Sequence, residues 1–446
     1  MNKNRQILDV LRDYESRNIV FIERDGSWPI VWKRARDVSV WDANGKKYLD
    51  LSAAFGVAAA GHGNPHVVKA GQKQMARLLH AMGDVHPPAG KAELARELGR
   101  ITFERWGNGK KSGKVIFGNS GFEAVEAALK TALLATGKHG VVAFTGAYHG
   151  LGYGALNATH RDFFRSPFHS QLREFGHFVQ FPAKPGDVAA VEWIIRRLFH
   201  REWIGAILVE PVQARGGINV PPKEFLPMLR KICDELGALL ILDEIFTGFG
   251  RTGKWFACEH RAVVPDLICL GKALTGGFPL SACVGRADLM DNAWPASRGE
   301  AIHTSTFLGH PVGCAMALAQ IKEIEKRELP ERSAQLGEFL LGELQSKISN
   351  PKLQIAVRGL GLMAGVELCL SDGRPATDAA LQAIKTMLHR GYILLPEGEH
   401  GNVISFTPPL TITQAQLAKA VAELQKVLTT DGHGVKPRGG HAAIRG

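Results

Sequence analysis

The chain has 446 residues and a formal net charge of +11 at pH 7. Its 45% hydrophobic and 22% charged residues are ordinary for a globular protein, and no stretch reaches the roughly 18 apolar residues of a membrane helix. The positive charge is dispersed along the chain and forms no basic stripe with interleaved aromatic residues. We therefore expect neither nucleic acid nor a membrane as a partner.

The cysteines and histidines argue against disulfides and metal sites. The six cysteines contain no CxxC pair, and the 17 histidines form no HExxH or HxH pattern. We therefore expect free thiols and no bound metal. The N-terminal segment has scattered charges and no apolar core of a secretory signal, so a cytoplasmic location is expected.

In chain order, the sequence predicts a small α+β domain that is split around a large one. Residues 1–55 contain strand-like pieces, with Asn44-Gly45 indicating a tight hairpin turn. In residues 56–328, apolar runs alternate with helical patterns, which is typical of a mainly parallel sheet with crossover helices. Residues 329–430 contain amphipathic helices and are expected to complete the small domain. The Gly-rich, basic residues 431–446 are expected to be disordered.

Two predicted strands of the large domain end in chemically useful side chains. The apolar run 267–270 leads into Gly271-Lys272, and the run 239–242 ends in Asp243. The lysine amine can form a Schiff base with an aldehyde cofactor, and the carboxylate can keep a pyridine nitrogen protonated. Either feature alone is weak, because such a lysine is often a solvated loop residue and such an aspartate is often a helix cap.

Three further predicted strands, 114–117, 140–144 and 204–209, also end in polar or aromatic groups. Ser120 and Gly121 follow the first, where free amides at a helix start can bind phosphate. Tyr148 follows the second and can stack on a flat ring or pack on the core. Glu210 and Gln213 follow the third, and the Gln213 amide can bond a phenolate-like oxygen, although polar residues are also common in loops.

Together these segments closely resemble the class III aminotransferases, a fold-type I family that depends on pyridoxal 5'-phosphate. The resemblance runs from about Val31 to Leu428. It is carried by FGNSGFEAVEAALK, FTGAYHG, VEPVQARGGINVPP, LILDEIFTGFGRTGKW, LGKALTGGFPLSA, HTSTFLGHPVGCAMALA and NVISFTPPLTI. It implies an α/β fold-type I architecture with the large and small domains described above.

The resemblance also implies roles around the cofactor ring. Lys272 corresponds to the Schiff-base lysine, which also shuttles a proton. Asp243 corresponds to the partner of the pyridine nitrogen, and Ile245 packs beneath the ring. Tyr148 stacks above the ring, and Gln213 hydrogen-bonds the phenolic oxygen.

The same resemblance implies a phosphate site and a second subunit. Ser120, Gly121 and Phe122 hold the phosphate through backbone and hydroxyl donors. Phe122 is bulkier than the small residue that is usual there, but we expect little consequence because backbone atoms do the binding. Thr306, in HTSTFLG, corresponds to a threonine that reaches the phosphate from the partner subunit, so a homodimer with shared active sites is expected.

The chain departs from the family pattern where substrate is recognised. The family commonly has an arginine after NVI that clamps a substrate carboxylate, and here that position is Ser405. Arg215, close after Gln213, is a candidate for contact with an acidic substrate group; the other interpretation is a surface or interface ion pair. Glu210 is a candidate partner for a nearby arginine.

Several functions remain open from sequence. The first is an aminotransferase that moves an amino group from an ω-amine or an amino acid to a 2-oxo acid. The second is a lyase that eliminates ammonia or phosphate from a small amino compound. Ser405 favours the lyase, because a lyase has no dicarboxylate co-substrate to bind. An aminomutase is a weaker third hypothesis, and Lys272, Asp243 and Gln213 together argue against a non-catalytic binding protein.

Overall fold

The computed structural model of the protein describes residues 2–23, 26–110 and 112–430. Segment 431–446, which the sequence predicts to be disordered, lies outside these ranges. The described strands are β1 (Trp32–Arg36), β2 (Ser39–Asp42), β3 (Lys47–Asp50), β4 (Gly113–Gly118), β5 (Gly140–Phe144), β6 (Gly176–Val179), β7 (Ile204–Val209), β8 (Leu239–Asp243), β9 (Leu267–Leu270), β10 (Ser281–Arg286), β11 (Leu353–Gly359), β12 (Ala364–Leu370), β13 (Tyr392–Ile393), β14 (Leu395–Glu397) and β15 (Val403–Phe406).

The described α-helices connect these strands. They are α1 (Lys3–Tyr14), α2 (Ala53–Gly56), α3 (Pro65–Arg77), α4 (Ala89–Gly99), α5 (Gly121–Thr136), α6 (Tyr153–Leu156), α7 (Asp162–Arg165), α8 (Asp187–Arg201), α9 (Phe225–Leu236), α10 (Ala287–Ala293), α11 (Pro311–Lys326), α12 (Leu329–Lys347), α13 (Thr377–His389) and α14 (Gln414–Thr430). Helix α9 ends as its sequence predicts, since Gly237 follows with a left-handed φ of 63° that only glycine adopts without strain. None of the helices in the described ranges is long and apolar enough to cross a membrane.

The largest sheet has seven strands in the order β4-β10-β9-β8-β7-β5-β6. Strand β10 runs antiparallel to β4 and β9, while the pairs from β9 through to β6 are parallel. The predicted α/β architecture with a mainly parallel sheet is confirmed. The predicted bounds of β5, β7 and β9 are those observed, and β8 extends by one residue to include Asp243.

Apolar side chains cover both faces of this sheet. In β5, Val142 and Phe144 join one core cluster, whereas Val141 and Ala143 join another. Side chains alternate between the two faces of a strand, so the two clusters lie on opposite faces. A parallel strand that is buried on both sides must be apolar throughout, which explains the unbroken apolar runs in the sequence.

Two smaller sheets are built from residues outside this large sheet. One has the order β1-β2-β3-β13, in which β13 pairs in parallel with β3 through Tyr392–Leu49 and Ile393–Asp50. The other has the order β11-β12-β15-β14. Residues near the two ends of the chain therefore share a sheet. This sheet also contains the hairpin predicted at Asn44-Gly45, where Gly45 has φ 90°.

Candidate active site

Lys272 and Asp243 lie at the ends of two neighbouring strands. Strands β8 and β9 are parallel, and Asp243 is in register with Cys269, three residues before Lys272. Lys272 has a φ of 39°, a strained backbone conformation that is more often found at functional sites than elsewhere. Burial lowers the pKa of its amine, although the charges of Asp243 and Glu210 oppose this change.

Asp243 is held by two partners and is almost completely buried. Its Oδ2 lies 2.8 Å from Nδ1 of His149, and its Oδ1 accepts a hydrogen bond of 3.1 Å from the amide of Ile245. His149 is itself fixed by a bond from its amide to the Thr159 hydroxyl. Within the described ranges, His149 Nε2 is buried without a hydrogen-bond partner.

No role for His149 follows from the sequence patterns, although the motif Tyr148-His149-Gly150 contains it. The contact joins residues 94 positions apart, so local sequence cannot predict it. The only available signal was its position directly after the predicted stacking residue at a strand end.

The start of helix α5 presents unused hydrogen-bond donors. Ser120 precedes the helix, and its hydroxyl oxygen is buried without a partner in the described part of the chain. Gly121 and Phe122 are the first residues of a 16-residue helix, so their amides have no intrahelical acceptor. The Glu123 carboxylate accepts from the amides of Asn119 and Ser120. The site is therefore a cradle for a small anion, provided by one hydroxyl, two amides and the helix dipole.

Ile245 connects this cradle with the end of β9. A Cβ on Gly121 would lie 3.1 Å from Ile245 Cδ1, and one on Gly271 would lie 3.3 Å from Ile245 Cγ2. Glycine at both positions lets Ile245 pack between the two backbone segments. The side chain predicted to lie beneath a cofactor ring is thus buried between the anion cradle and the segment that carries Lys272.

Tyr148 lies beside Arg215 and an aromatic neighbour. Its ring packs edge-on against Phe164, with 5.6 Å between the ring centroids. The guanidinium carbon of Arg215 lies 4.5 Å from the centroid of the Tyr148 ring, which is a cation–π contact. Within the described residues, no carboxylate lies within 4.0 Å of that guanidinium, so the interpretation of Arg215 as one half of a surface ion pair finds no partner in this chain.

Glu210 and Gln213 are buried and bonded to nearby groups. Glu210 accepts from the amides of Tyr148 and Ala214, at 3.0 and 3.1 Å, rather than from an arginine. Burial raises the pKa of Glu210. The Gln213 side chain donates to the Thr145 carbonyl at 2.8 Å, which leaves one further amide hydrogen for a ligand.

Glu397 is a charged residue of the site to which sequence analysis assigned no role. It ends strand β14, it is only 8% exposed, and burial raises its pKa to about 7. The positive charges of Arg215, Arg161 and Lys272 act on it in the opposite direction. An acid directly after the apolar run ILLP was the available signal, but only the folding of β14 against β15 shows where it lies.

Ser405 and Thr306 are two predicted site residues that form no hydrogen bond with the other predicted site residues in the described part of the chain. Ser405 is 2% exposed, and its hydroxyl donates to the carbonyl of Leu395 at 3.0 Å. Thr306 lies on an exposed loop that is tied down by a 2.6 Å bond between Thr304 and Asp84. In the described ranges, no hydrogen bond or ring contact joins Thr306 to the other predicted site residues of the same chain.

The residues present fit pyridoxal phosphate. The unpartnered hydroxyl of Ser120 and the open helix amides suit a phosphate group, and buried Asp243 suits a pyridinium nitrogen. An amine with a lowered pKa suits covalent attachment to an aldehyde. No group of three or more histidine, cysteine or acidic side chains in the described ranges is arranged to hold a metal ion.

Comparisons with known proteins agree with this fit. The family profile "Aminotransferase class-III" matches residues 21–428. A putrescine aminotransferase of Pectobacterium atrosepticum is 38% identical over 95% of the chain and 89% of its own length. A leucine/methionine racemase of Thermococcus litoralis is 33% identical over 90% of each chain.

A solved structure extends the agreement to the fold and the cofactor. The ω-transaminase of Pseudomonas jessenii in complex with PMP superposes with a TM-score of 0.86 at 26% identity. The match covers 94% of this chain and 97% of that one. The long profile match and the identity to aminotransferases show that the chain belongs to the class III aminotransferases, which are pyridoxal-phosphate-dependent enzymes.

Proposed function

We propose that Lys272 attaches the cofactor and moves the proton on the reacting carbon of the substrate. The observation that carries this proposal is the pairing of a lysine amine of lowered pKa with buried Asp243 at adjacent strand ends. When bound, pyridoxal phosphate supplies a pyridinium ring that accepts electrons from the carbon that loses the proton. The Lys272 amine would hold the cofactor and would also serve as the base for the proton on the reacting carbon.

The same geometry supports the other cofactor contacts that we propose. Asp243 would hold the pyridine nitrogen, and His149 would position its carboxylate; each carboxylate oxygen has a second lone pair for this purpose. The Ser120 hydroxyl and the amides of Gly121 and Phe122 would hold the phosphate. The ring would be covered by Tyr148 and Ile245, and Gln213 would bond its phenolic oxygen.

For substrates, we favour an ω-amine or ω-amino acid as donor and a 2-oxo acid as acceptor. The buried Ser405 hydroxyl is already used by Leu395 and cannot replace an arginine clamp for an α-carboxylate. Arg215, whose guanidinium stacks on Tyr148, is the candidate contact for the carboxylate of the oxo acid. Glu210, bonded to the amides of Tyr148 and Ala214, joins the loop after β5 to the loop after β7. The putrescine aminotransferase among the relatives supports an amine donor, and nothing in the comparisons favours a lyase or an aminomutase.

We further propose that the enzyme is a cytoplasmic homodimer in which Thr306 completes the site of the partner subunit. The six cysteines are all free thiols, which suits a reducing compartment. An exposed apolar surface borders the Thr306 loop, as expected for a subunit interface. The same proposal assigns residues 56–328 to the large cofactor-binding domain, and 1–55 with 329–430 to the small one.

The test is a half-reaction of the holoenzyme with amines, without any oxo acid. Stoichiometric conversion of the bound cofactor to a stable amine form, reversed by adding a 2-oxo acid, is the expected result. Continuous ammonia release without an oxo acid would instead indicate a lyase. Inversion of a chiral amino acid without net transfer would indicate racemase activity, as named for one relative.

A further inference from the structure

We propose that Glu397 recognises a distal ammonium group on the amino donor, so that diamines and related doubly charged amines are the preferred donor class. This inference rests on the proposed function, because it names the substrate of the same site. Ser405 stands where the family commonly has a substrate-binding arginine, so the site lacks that charged contact. Glu397 would supply a charged contact of the opposite sign.

The Glu397 side chain is mostly buried, and its carboxyl has no partner in the described residues. It is 8% exposed, and within the described residues it forms no hydrogen bond and no ion pair within 4.0 Å. Glu244, a fully buried acid of this chain, instead accepts bonds from Thr247 and from the amides of Ala257 and Cys258. The Glu397 oxygens are not among the fully buried polar atoms of the described residues that lack a hydrogen bond, so the carboxyl is open to solvent and to a ligand. A mostly buried carboxylate without a donor from the protein is costly, and a ligand that supplies donors would relieve this cost.

The strand register puts Glu397 beside Ser405, the position at which the family resemblance implies a carboxylate-binding arginine. Strand β14 pairs with β15 through Leu395–Ser405 and Glu397–Val403. Opposed residues and residues two apart project to the same face of a sheet, so Glu397 and Ser405 share one face. Where the family resemblance implies an arginine, this face carries a neutral hydroxyl and, one pair further along, an acid. This face therefore carries a negative group where the family's arginine would provide a positive one. It should favour a positively charged ligand group over a carboxylate.

The electrostatic neighbours of Glu397 are the groups of the active site. The charges of Lys272, Arg215 and Glu210 act on its carboxyl, and the charge of Glu397 acts in turn on the Lys272 amine. The amide of the residue after Glu397 bonds the Arg215 carbonyl, and the Arg215 guanidinium stacks on Tyr148, so Glu397 lies on the Arg215 side of the site. A ligand group that reaches Glu397 must therefore extend away from the reacting amine. The distal end of a short alkyl diamine meets this requirement.

Arg215 does not neutralise Glu397, although the residue after Glu397 is hydrogen-bonded to the Arg215 backbone. The Gly398 amide donates to the Arg215 carbonyl at 3.1 Å, and Arg161 donates to the carbonyls of both residues. The Arg215 guanidinium stacks on Tyr148 instead, more than 4.0 Å from the Glu397 oxygens. The two opposite charges therefore remain separately available, one for an ammonium group and the other for the carboxylate of the oxo acid.

A distal ammonium group matches what the carboxyl lacks. It brings a full positive charge and three hydrogen-bond donors, whereas a neutral alkyl end brings neither. The preference for a diamine should therefore depend on Glu397 being ionised. The charges of Arg215, Arg161 and Lys272 favour its ionisation, and the charge of Glu210 opposes it.

The experiment compares 1,4-diaminobutane with 1-aminobutane in the half-reaction of the holoenzyme. The measured quantity is the ratio of kcat/KM for the diamine to that for the monoamine. Glu397→Gln should lower this ratio by about 10- to 150-fold, the effect of losing one hydrogen bond to a charged group. The matched control Glu399→Gln removes an exposed acid two residues away and should leave the ratio unchanged.

A pH series adds a readout that a purely structural role would not affect. In the wild-type enzyme the ratio should rise as the pH increases through about 7, where Glu397 ionises, and this rise should be absent in Glu397→Gln. Calorimetric titration with 1,4-diaminobutane at a pH above 7, after 1-aminobutane has converted the bound cofactor to its amine form and has been removed, measures the same contact without turnover. The dissociation constant should increase in Glu397→Gln and not in Glu399→Gln.

The outcomes separate this inference from the proposed function. A ratio and a dissociation constant that do not change in Glu397→Gln would overturn the role of Glu397, even if transamination proceeds. If the wild-type enzyme binds the diamine through Glu397 but transfers no amino group, the recognition role stands and the proposed function fails. A wild-type ratio near one, with no Glu397-dependent binding, would also refute the role of Glu397.

Discussion

Lys272 has a strained backbone conformation, and burial lowers the pKa of its amine. Its φ of 39° and its lowered pKa are both unfavourable for a lysine that serves only structure. Both are useful to a lysine that must attack an aldehyde and later accept a proton. The structural cost of Lys272 is thus an argument for its chemical role.

Lys272→Ala should abolish covalent attachment of the cofactor. The prediction is checked by adding pyridoxal phosphate, reducing with borohydride and measuring the mass of the chain. The wild-type chain and the control Lys254→Ala, an exposed lysine, should gain the mass of one reduced cofactor on the active-site peptide. Cofactor fixed to that peptide in Lys272→Ala would contradict the assignment.

Glu397→Gln should stabilise the enzyme in the absence of diamine. A carboxyl whose pKa rises to about 7 on folding keeps its proton when the unfolded chain has lost its own, so stability falls as the pH rises from about 4.5 to 7. The neutral amide removes this loss. The expected gain is about 1–3 kcal/mol in free energy of unfolding at pH 8, and close to zero at pH 4.5.

Melting temperatures of the two proteins at pH 5 and pH 8 test this prediction. Glu244→Gln is the contrasting variant, because Glu244 also has a pKa raised to about 7 but accepts three hydrogen bonds. That variant should lose stability at both pH values, since buried donors lose an acceptor. A melting temperature of Glu397→Gln below that of the wild-type enzyme at pH 8 would show that Glu397 has a stabilising partner.

At the scale of elements, Arg358 on β11 holds the loop that follows β7. Its guanidinium donates to the carbonyls of Gly217 and Ile218, and it forms an ion pair with Glu367 at 2.6 Å. This loop carries Gln213 and Arg215. Arg358, in the β11-β12-β15-β14 sheet, therefore fixes predicted site residues that follow a strand of the seven-stranded sheet. The position of the loop therefore depends on how the elements pack and not on local sequence alone.

Arg358→Ala should weaken binding of the oxo acid. Loss of two or more charge-assisted bonds at the loop costs about 2–3 kcal/mol of local stability and lets Arg215 move. We expect KM for the oxo acid to rise by about 10-fold or more, with a smaller rise in Arg358→Lys. Steady-state kinetics check this, with Arg374→Ala, which removes an exposed arginine paired to Asp372, as control. An unchanged KM in Arg358→Ala would show that the loop holds its place without this contact.

At the scale of the whole molecule, one chain leaves a large apolar surface uncovered. Two loops meet where the rings of His80 and Phe307 pack at 5.3 Å and Thr304 bonds Asp84. The exposed apolar side chains of these loops are Leu79, Met82, Val85, Ile302 and Phe307, each more than half exposed. Such a patch beside Thr306 is what a shared active site at a dimer interface requires.

Mixing two inactive variants tests whether Thr306 acts across this interface. If it does, a mixed dimer of Lys272→Ala and Thr306→Val subunits contains one site with both wild-type residues. Co-expression of differently tagged subunits, followed by purification of the mixed dimer, should then restore cofactor binding at about one site per dimer. If Thr306 acts within its own chain, the mixed dimer should bind cofactor no better than the two parent variants.

The sequence by itself was sufficient for the parts of this protein that depend on local patterns. Apolar runs of strand length and the glycines that end them predicted strands β5, β7 and β9 with their observed bounds. The motifs around Lys272 predicted the family, which the comparisons confirm. These features are readable because strand burial and tight turns impose constraints on consecutive residues.

Only the tertiary structure decided which distant side chains share an environment. The contact of His149 with Asp243 spans 94 residues, and Glu397 meets the charges of Arg215 and Lys272 only through the pairing of β14 with β15. The burial of Ser405 was likewise set by its strand partner. Strand order and register determine these contacts, and both result from packing the whole chain. The acid after the apolar run ILLP is a local signal, but it does not specify which groups Glu397 lies near.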